Sequence, residues 1–220
     1  MISRYHFVAE LLFGLWRTYS SLDPELQFNG HTRLVAPKRI SFTHLDSAHW
    51  RDYAAMNQYV LRAAFPSAVL EFIDTWEERA SLKDKTFVMD RVVFSDRIAA
   101  MHDNMFVETD RIASVAYQIK SNLGWWNTIR MSVLEYSKVR KGDVTPLVPV
   151  ITYVSRQGWG RRMLREEDHL RLVAGLHKLR DRRGYDVNIV ELNRLSRAEQ
   201  VRLAARTTAC TPASLIFEMR

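Results

Sequence analysis

The sequence predicts an α/β protein with parallel strands in its C-terminal part. Three observations lead there. Residues 149–206 read strand, helix, strand, helix, the alternation of a right-handed crossover unit in a parallel sheet. Apolar residues make up 47% of the 220 and charged residues 26%, the balance of a chain that buries a core. Gly and Pro number only 8 and 6, too few for a disordered or collagen-like chain.

The elements follow in order. Residues 4–20 place Phe7, Val8, Leu11, Leu12, Leu15 and Tyr19 on one helical face. Asp23-Pro24 and Asn29-Gly30 mark a loop. Residues 39–44 (RISFTH) form a short strand candidate. Ser47 is an N-cap for a helix carrying Trp50, Tyr53, Asn57, Val60 and Leu61, which Phe65-Pro66 ends. Residues 68–73 and 87–94 read as strands, rich in Val, Phe and Ile. Helical patterns follow at 110–121 and 126–139, then a linker at 140–147 (RKGDVTPL).

Past the linker the pattern sharpens. Residues 149–155 (PVITYVS) form a buried strand candidate, and 156–165 (RQGWGRRMLR) a loop with two Gly and four Arg. A helix over 166–182 opens on Glu166, Glu167 and Asp168, where its dipole favours acids. Leu172, Val173, Leu176 and Leu179 are its inner face, and Gly184 stops it. A strand at 187–192 follows. Ser196 and Glu199 then form a capping box for a helix at 197–206. The organisation is an N-terminal α/β lobe at 1–140, a C-terminal lobe at 148–208 and a tail at 209–220.

Several classes fall away. The single cysteine, Cys210, excludes an intrachain disulfide and a Cys-rich zinc module. The most apolar helical run, Phe7 to Phe13, contains Glu10, and nothing approaches the ~20 apolar residues of a membrane span. No stretch reads as a signal peptide. The charge is uneven: from Arg156 onward 13 Arg and 1 Lys stand against 8 acids, a net +6 of the chain's +7. Such a half points to a phosphate-bearing or polyanionic partner, and Arg is the better fork for phosphate oxygens.

The Arg-rich loop is the most informative feature. Ligands of doubly wound sheets bind beyond the carboxyl ends of the strands. Arg156 is the first residue past such an end, and Arg161, Arg162 and Arg165 follow it. They can converge on one phosphate group. They can equally pair with Glu166, Glu167 and Asp168 on a solvated surface, and the sequence leaves both open.

Residues 149–208 resemble the C-terminal part of glycosyltransferase family 61, in its fungal branch. The resemblance rests on Ser155-Arg156 at a strand end, Arg161-Arg162, Glu167-Asp168 and Ser196 to Val201. Upstream, YHFVAELLFGLWR (5–17) looks like the family's His-Phe-x-x-Glu helix, MDRVVFSDR (89–97) like its central strand and turn, and NLGWWNTIR (122–130) like a fungal-branch segment.

The resemblance implies a GT-B-like, two-lobed architecture of Rossmann type. It implies transfer of a sugar from a nucleotide sugar, UDP-linked xylose or N-acetylglucosamine, to a protein or glycan hydroxyl. It implies no bound metal, and the chain carries no D-x-D. By the resemblance Arg156 holds the diphosphate with Arg161 or Arg162, and the compartment is the Golgi or endoplasmic reticulum lumen, with relatives anchored in the membrane. Nucleic acid is not an expected partner. The sequence departs from the family after Thr208, where a strand and a Gly-His-Gly loop should follow; no glycine occurs after Gly184. The expectation is a fragment, truncated at both ends and with a partial donor site. The alternatives are an inactive member of the family or a basic nucleic-acid-binding module.

Other residues have two readings each. His6 and Glu10, one turn apart, are candidates for a general base facing an acceptor, or a helix-surface pair. Glu191, at a strand end, accepts from ribose hydroxyls or is simply solvated. Asp90 and Asp96 flank the 87–94 strand and line a cleft or cap it. Trp125 and Trp126 stack on a ligand or pack in the core. Cys210 has no neighbouring His and Asp to make it a nucleophile.

Overall fold

The computed structural model describes residues 7–29, 34–95, 121, 122, 124–158 and 163–212. The chain divides into two units, Met1–Val133 and Leu134–Arg220. Residues 110–120 of the expected helix at 110–121 lie outside the described residues.

In the first unit the apolar face of 4–20 becomes a π-helical turn, Phe7–Leu12, running into α1 (Phe13–Ser20). Phe7, Leu12 and Trp16 are buried, and so is Glu10, at 3% exposure. The two dipeptides read as a loop instead bracket a short helix, α2 (Pro24–Asn29). Proline costs nothing at a first helical position, where its missing N–H has no intrahelical partner. Burial of Leu26 holds the helix in place.

β1 (Arg39–Ser41) pairs in parallel with β2 (Val69–Glu71), Ile40 opposite Leu70. Between them α3 (Met56–Ala64) starts at Met56, not after Ser47 as the sequence predicts. A side-chain clamp takes up the intervening turn. The carboxamide oxygen of the fully buried Asn57 accepts from the amides of Asp52 (3.1 Å) and Gln58 (2.8 Å), and its nitrogen donates to the Trp50 carbonyl (2.7 Å). Asp52 Oδ1 accepts from the Asn57 amide in return (3.1 Å). Ala55 stands in the left-handed region at φ 48°. Ser47 does not cap α3; its hydroxyl donates to Asp74 Oδ2 (2.5 Å) in α4 (Ile73–Ser81). Phe65-Pro66 ends α3 as expected.

Residues 87–94 do not form the predicted strand. No ladder is assigned to them, and Val88 and Phe94 are exposed. β-propensity without a paired neighbour does not make a strand.

Aromatic rings fill the core of this unit. Phe42 stacks on Trp50 and on Phe72, and Trp16 lies against Phe65 and Trp125. Trp125 precedes α5 (Asn127–Tyr136). Its indole N–H donates to Ser20 Oγ (2.9 Å), and its carbonyl accepts from the Trp16 indole (3.2 Å). A carboxylate is buried here too. Glu71 accepts from Arg39 (2.5 Å) and from both terminal guanidinium nitrogens of Arg79. The Arg79 guanidinium also lies over the Trp76 ring, 5.1 Å from its centroid.

The second unit is an α/β layer. β3 (Val150–Val154), β4 (Asp186–Val190) and β5 (Ala209–Pro212) are parallel, in the order β4-β3-β5. α6 (Glu166–Arg183) joins β3 to β4, and α7 (Arg197–Arg206) joins β4 to β5. Ile151 and Tyr153 face α6 and pack with Leu172, Val173 and Leu176. On the opposite face Thr152 Oγ1 meets Thr207 Oγ1, at the end of α7, at 2.7 Å. The two crossovers run to opposite sides of β3, so right-handed connections place their helices on opposite faces of the sheet.

The expected helix signals hold in this unit. Gly184 takes the left-handed C-cap at φ 68°. Ser196 Oγ accepts from the Glu199 amide, and Glu199 accepts from the Ser196 amide (2.8 Å). β5 differs from expectation, which places residues 209–212 in the tail. Four residues ending in proline carry little strand signal; pairing with β3, Ile151 opposite Ala209, makes the strand. Proline is tolerated there at the sheet's edge.

Candidate functional site

The carboxyl edge of the second sheet brings together Arg156 and Glu191. The order β4-β3-β5 makes β3 the first strand and places its two successors on either side. The chain reverses direction across the sheet between β3 and β5, the kind of position where open α/β sheets hold ligands.

The end of β3 is well fixed. The Ser155 amide donates to the Val190 carbonyl (2.8 Å), extending the ladder one residue beyond the strand. Arg156 follows, half-buried. The Gln157 side chain then clasps the backbone of Leu164, donating to its carbonyl (3.0 Å) and accepting from its amide (3.0 Å). This pair closes the neck of the loop that carries Arg161 and Arg162, which lie outside the described residues.

Glu191 follows β4 at the same edge. Its carboxylate lies against Gly158 in the loop: a Cβ on that glycine would stand 3.3 Å from Glu191 Oε1. A side chain at this position is a tight fit, and the carboxylate would have to give way by a few tenths of an ångström. Glu191 also accepts from Arg194 Nε at 2.8 Å, and its side chain keeps 25% of its exposure.

The acidic run of α6 turns to its own helix. Asp168 pairs with Arg171, one turn on.

A buried polar chain stands behind the edge. Tyr153 has no exposed surface, and its hydroxyl lies 3.0 Å from Nδ1 of His169, in the first turn of α6. Burial pushes the Tyr153 phenol above its ordinary value, with the Ser155 side chain opposing the rise, so the phenol stays protonated at neutral pH. Sequence reading missed this group. Tyr153 looks like one more apolar residue of a buried strand, and the partnership with His169 spans 16 positions without a periodic signature.

The remaining candidates lie elsewhere. Glu10 is buried in the π-turn of the first unit, and His6 lies outside the described residues. Asp90 is exposed on a segment with no ladder, and Asp96 lies outside the described residues. Trp125 is a core residue and Trp126 packs half-buried against that core. Cys210 is exposed on β5. Among the described residues no three His, Cys, Asp or Glu side chains gather to hold a metal ion, and no helix is long and apolar enough to cross a membrane.

The fold places Arg156, the neck of the Arg-rich loop and Glu191 on one sheet edge, and the chain as a whole is a mixed α/β protein with parallel strands in small sheets. Comparison with known proteins adds no relative, as no family model, curated protein or solved structure matches this chain.

Proposed function

We propose that the second unit is the nucleotide-binding part of a glycosyltransferase of the GT-B-like, family 61 type that residues 149–208 resemble. One observation carries the reading. Arg156 follows directly on the end of β3, at the point where the sheet reverses its strand order.

The chemistry asks for a cation there. In the transfer the bond between the sugar's anomeric carbon and the β-phosphate oxygen breaks, and its electron pair goes to the departing UDP. The acceptor hydroxyl oxygen bonds to that carbon and gives up its proton to a base. Charge therefore grows on the diphosphate, and a guanidinium held by folded backbone stabilises it without reorganisation. Arg161 and Arg162 are the further cations of this reading, and Glu191 accepts from the ribose hydroxyls. Xylose or N-acetylglucosamine is the sugar, and a protein or glycan hydroxyl in the lumen of the Golgi or endoplasmic reticulum is the acceptor. No metal takes part in this reading.

Calorimetric titration of the purified chain with UDP, and with ADP as control, tests the reading. Preference for UDP supports it. Equal binding of both nucleotides, or binding of neither, contradicts it.

A further inference from the structure

Resting on the diphosphate reading above, we infer that Gln157 is a positioning residue of the same site: its side chain clasps the backbone of Leu164 and so holds Arg156 in place independently of any ligand.

Both bonds of the clasp have a fixed direction. The Leu164 amide can only donate and its carbonyl can only accept. The Gln157 carboxamide therefore turns its oxygen to the amide and its nitrogen to the carbonyl, each at 3.0 Å. One residue is gripped at both of its backbone polar groups, as in a hydrogen-bonded pair of an antiparallel ladder. Glutamine suits this task because a donor and an acceptor share one planar group. Glutamate offers acceptors alone, and asparagine carries the same pair one methylene shorter.

The clasp is anchored in turn. Leu164 is buried and packs in one cluster with Tyr153 and Leu176, so Gln157 is tied through it to the core of the second unit. On the other side of Arg156, the Ser155 amide donates to the Val190 carbonyl at 2.8 Å, which ties Ser155 to the end of β4. Arg156 therefore stands between two tethered residues. Gly158, the residue after the clasp, is the one that lies against the Glu191 carboxylate. A guanidinium whose backbone is fixed on both sides has less freedom to lose when it takes up a phosphate oxygen. Gln157 touches no ligand in this role and acts through Arg156.

Two measurements on the whole chain test this. The first is amide hydrogen exchange without ligand. The Leu164 amide should exchange at least about tenfold faster in Gln157→Met, which keeps the length of the side chain and lacks the amide, than in the wild type. Equal exchange would overturn the inference, whatever the chain binds. The second is titration with UDP and with inorganic pyrophosphate, in a double-mutant cycle with Arg156→Ala and with melting temperatures recorded. Gln157→Met should weaken both ligands about tenfold when Arg156 is present, the cost of ordering one long side chain and its backbone at binding. With Arg156→Ala already in place it should weaken them less than about twofold, because no guanidinium is left to hold. Gln157→Asn, too short for the clasp, should repeat the pattern and serves if the methionine variant does not fold. An equal loss in both backgrounds, or no loss in either, would remove Gln157 from its role and leave the donor-site reading standing. Failure of the wild-type chain to bind either ligand would remove both.

Discussion

Asn57 offers the sharpest test of the first unit, because one side chain replaces the helical turns that the sequence predicts after Ser47. Its carboxamide makes three hydrogen bonds to backbone groups in and around the turn, at 2.8 and 3.1 Å to its oxygen and 2.7 Å from its nitrogen. Asn57→Ala removes all three. The Gln58 amide is at the start of α3 and can reach water, so its loss is small. The Trp50 carbonyl and Asp52 amide belong to residues of 2% and 7% exposure and are left without that partner. At about 1–1.5 kcal/mol for each buried group stranded, the expected loss is about 2–3 kcal/mol. That is a large share of the ~5–15 kcal/mol that holds a typical domain. Urea unfolding followed by tryptophan fluorescence reads it well, since Trp50 lies within the affected turn and stacks on Phe42. Asn57→Asp keeps the acceptor but loses the donor to Trp50 and buries a charge, so it should be no better than the alanine variant. A loss below about 0.5 kcal/mol for Asn57→Ala would refute the clamp.

Three further outcomes follow from the same reasoning. Hydrogen bonds from Arg79, then Arg39, hold the Glu71 carboxyl below the ordinary glutamate range against the opposing effect of burial. Its contribution is present above the unfolded-state value and is lost as pH falls through the folded one, so acid denaturation profiles of Glu71→Gln should be flatter than wild type below about pH 4.5. Ser196→Ala removes the N-cap of α7 and should cost about 1 kcal/mol in chemical denaturation, with Ser196→Asp restoring most of it. Gly158→Val forces a side chain into the space of the Glu191 carboxylate and should weaken UDP binding more than it lowers the melting temperature; unchanged UDP affinity would place Glu191 outside the site.

The second unit was largely legible in the sequence, for physical reasons that are local. The 197–206 helix announces itself through Ser196 and Glu199, whose reciprocal bonds need only four consecutive residues. Gly184 marks the end of α6 because a left-handed residue is required there. The strand at 150–154 is an apolar run bounded by breakers. β5 was not legible, because Ala209 to Pro212 become a strand only through pairing with β3, 58 positions away at its first register pair. In the first unit the misreadings share one cause. Ser47 looks like a helix cap, but its hydroxyl finds Asp74, 27 positions on. Residues 87–94 have strand propensity and no ladder. Of the site, Arg156 and Glu191 were visible because strand ends are visible. The Tyr153–His169 pair was not, since a buried phenol in an apolar strand shows its partner only once the helix is packed on the sheet.

The central claim is that the carboxyl edge of the β4-β3-β5 sheet holds a nucleotide diphosphate through Arg156. The most direct measurement is calorimetric titration of the wild-type chain and of Arg156→Ala with UDP, alongside their melting temperatures. The account predicts that the variant stays folded, without much loss of melting temperature, and binds UDP about tenfold to a hundredfold more weakly, the loss of one charge-assisted hydrogen bond or a pair of them. A variant that binds UDP as the wild type does, whether or not its melting temperature falls, would contradict it.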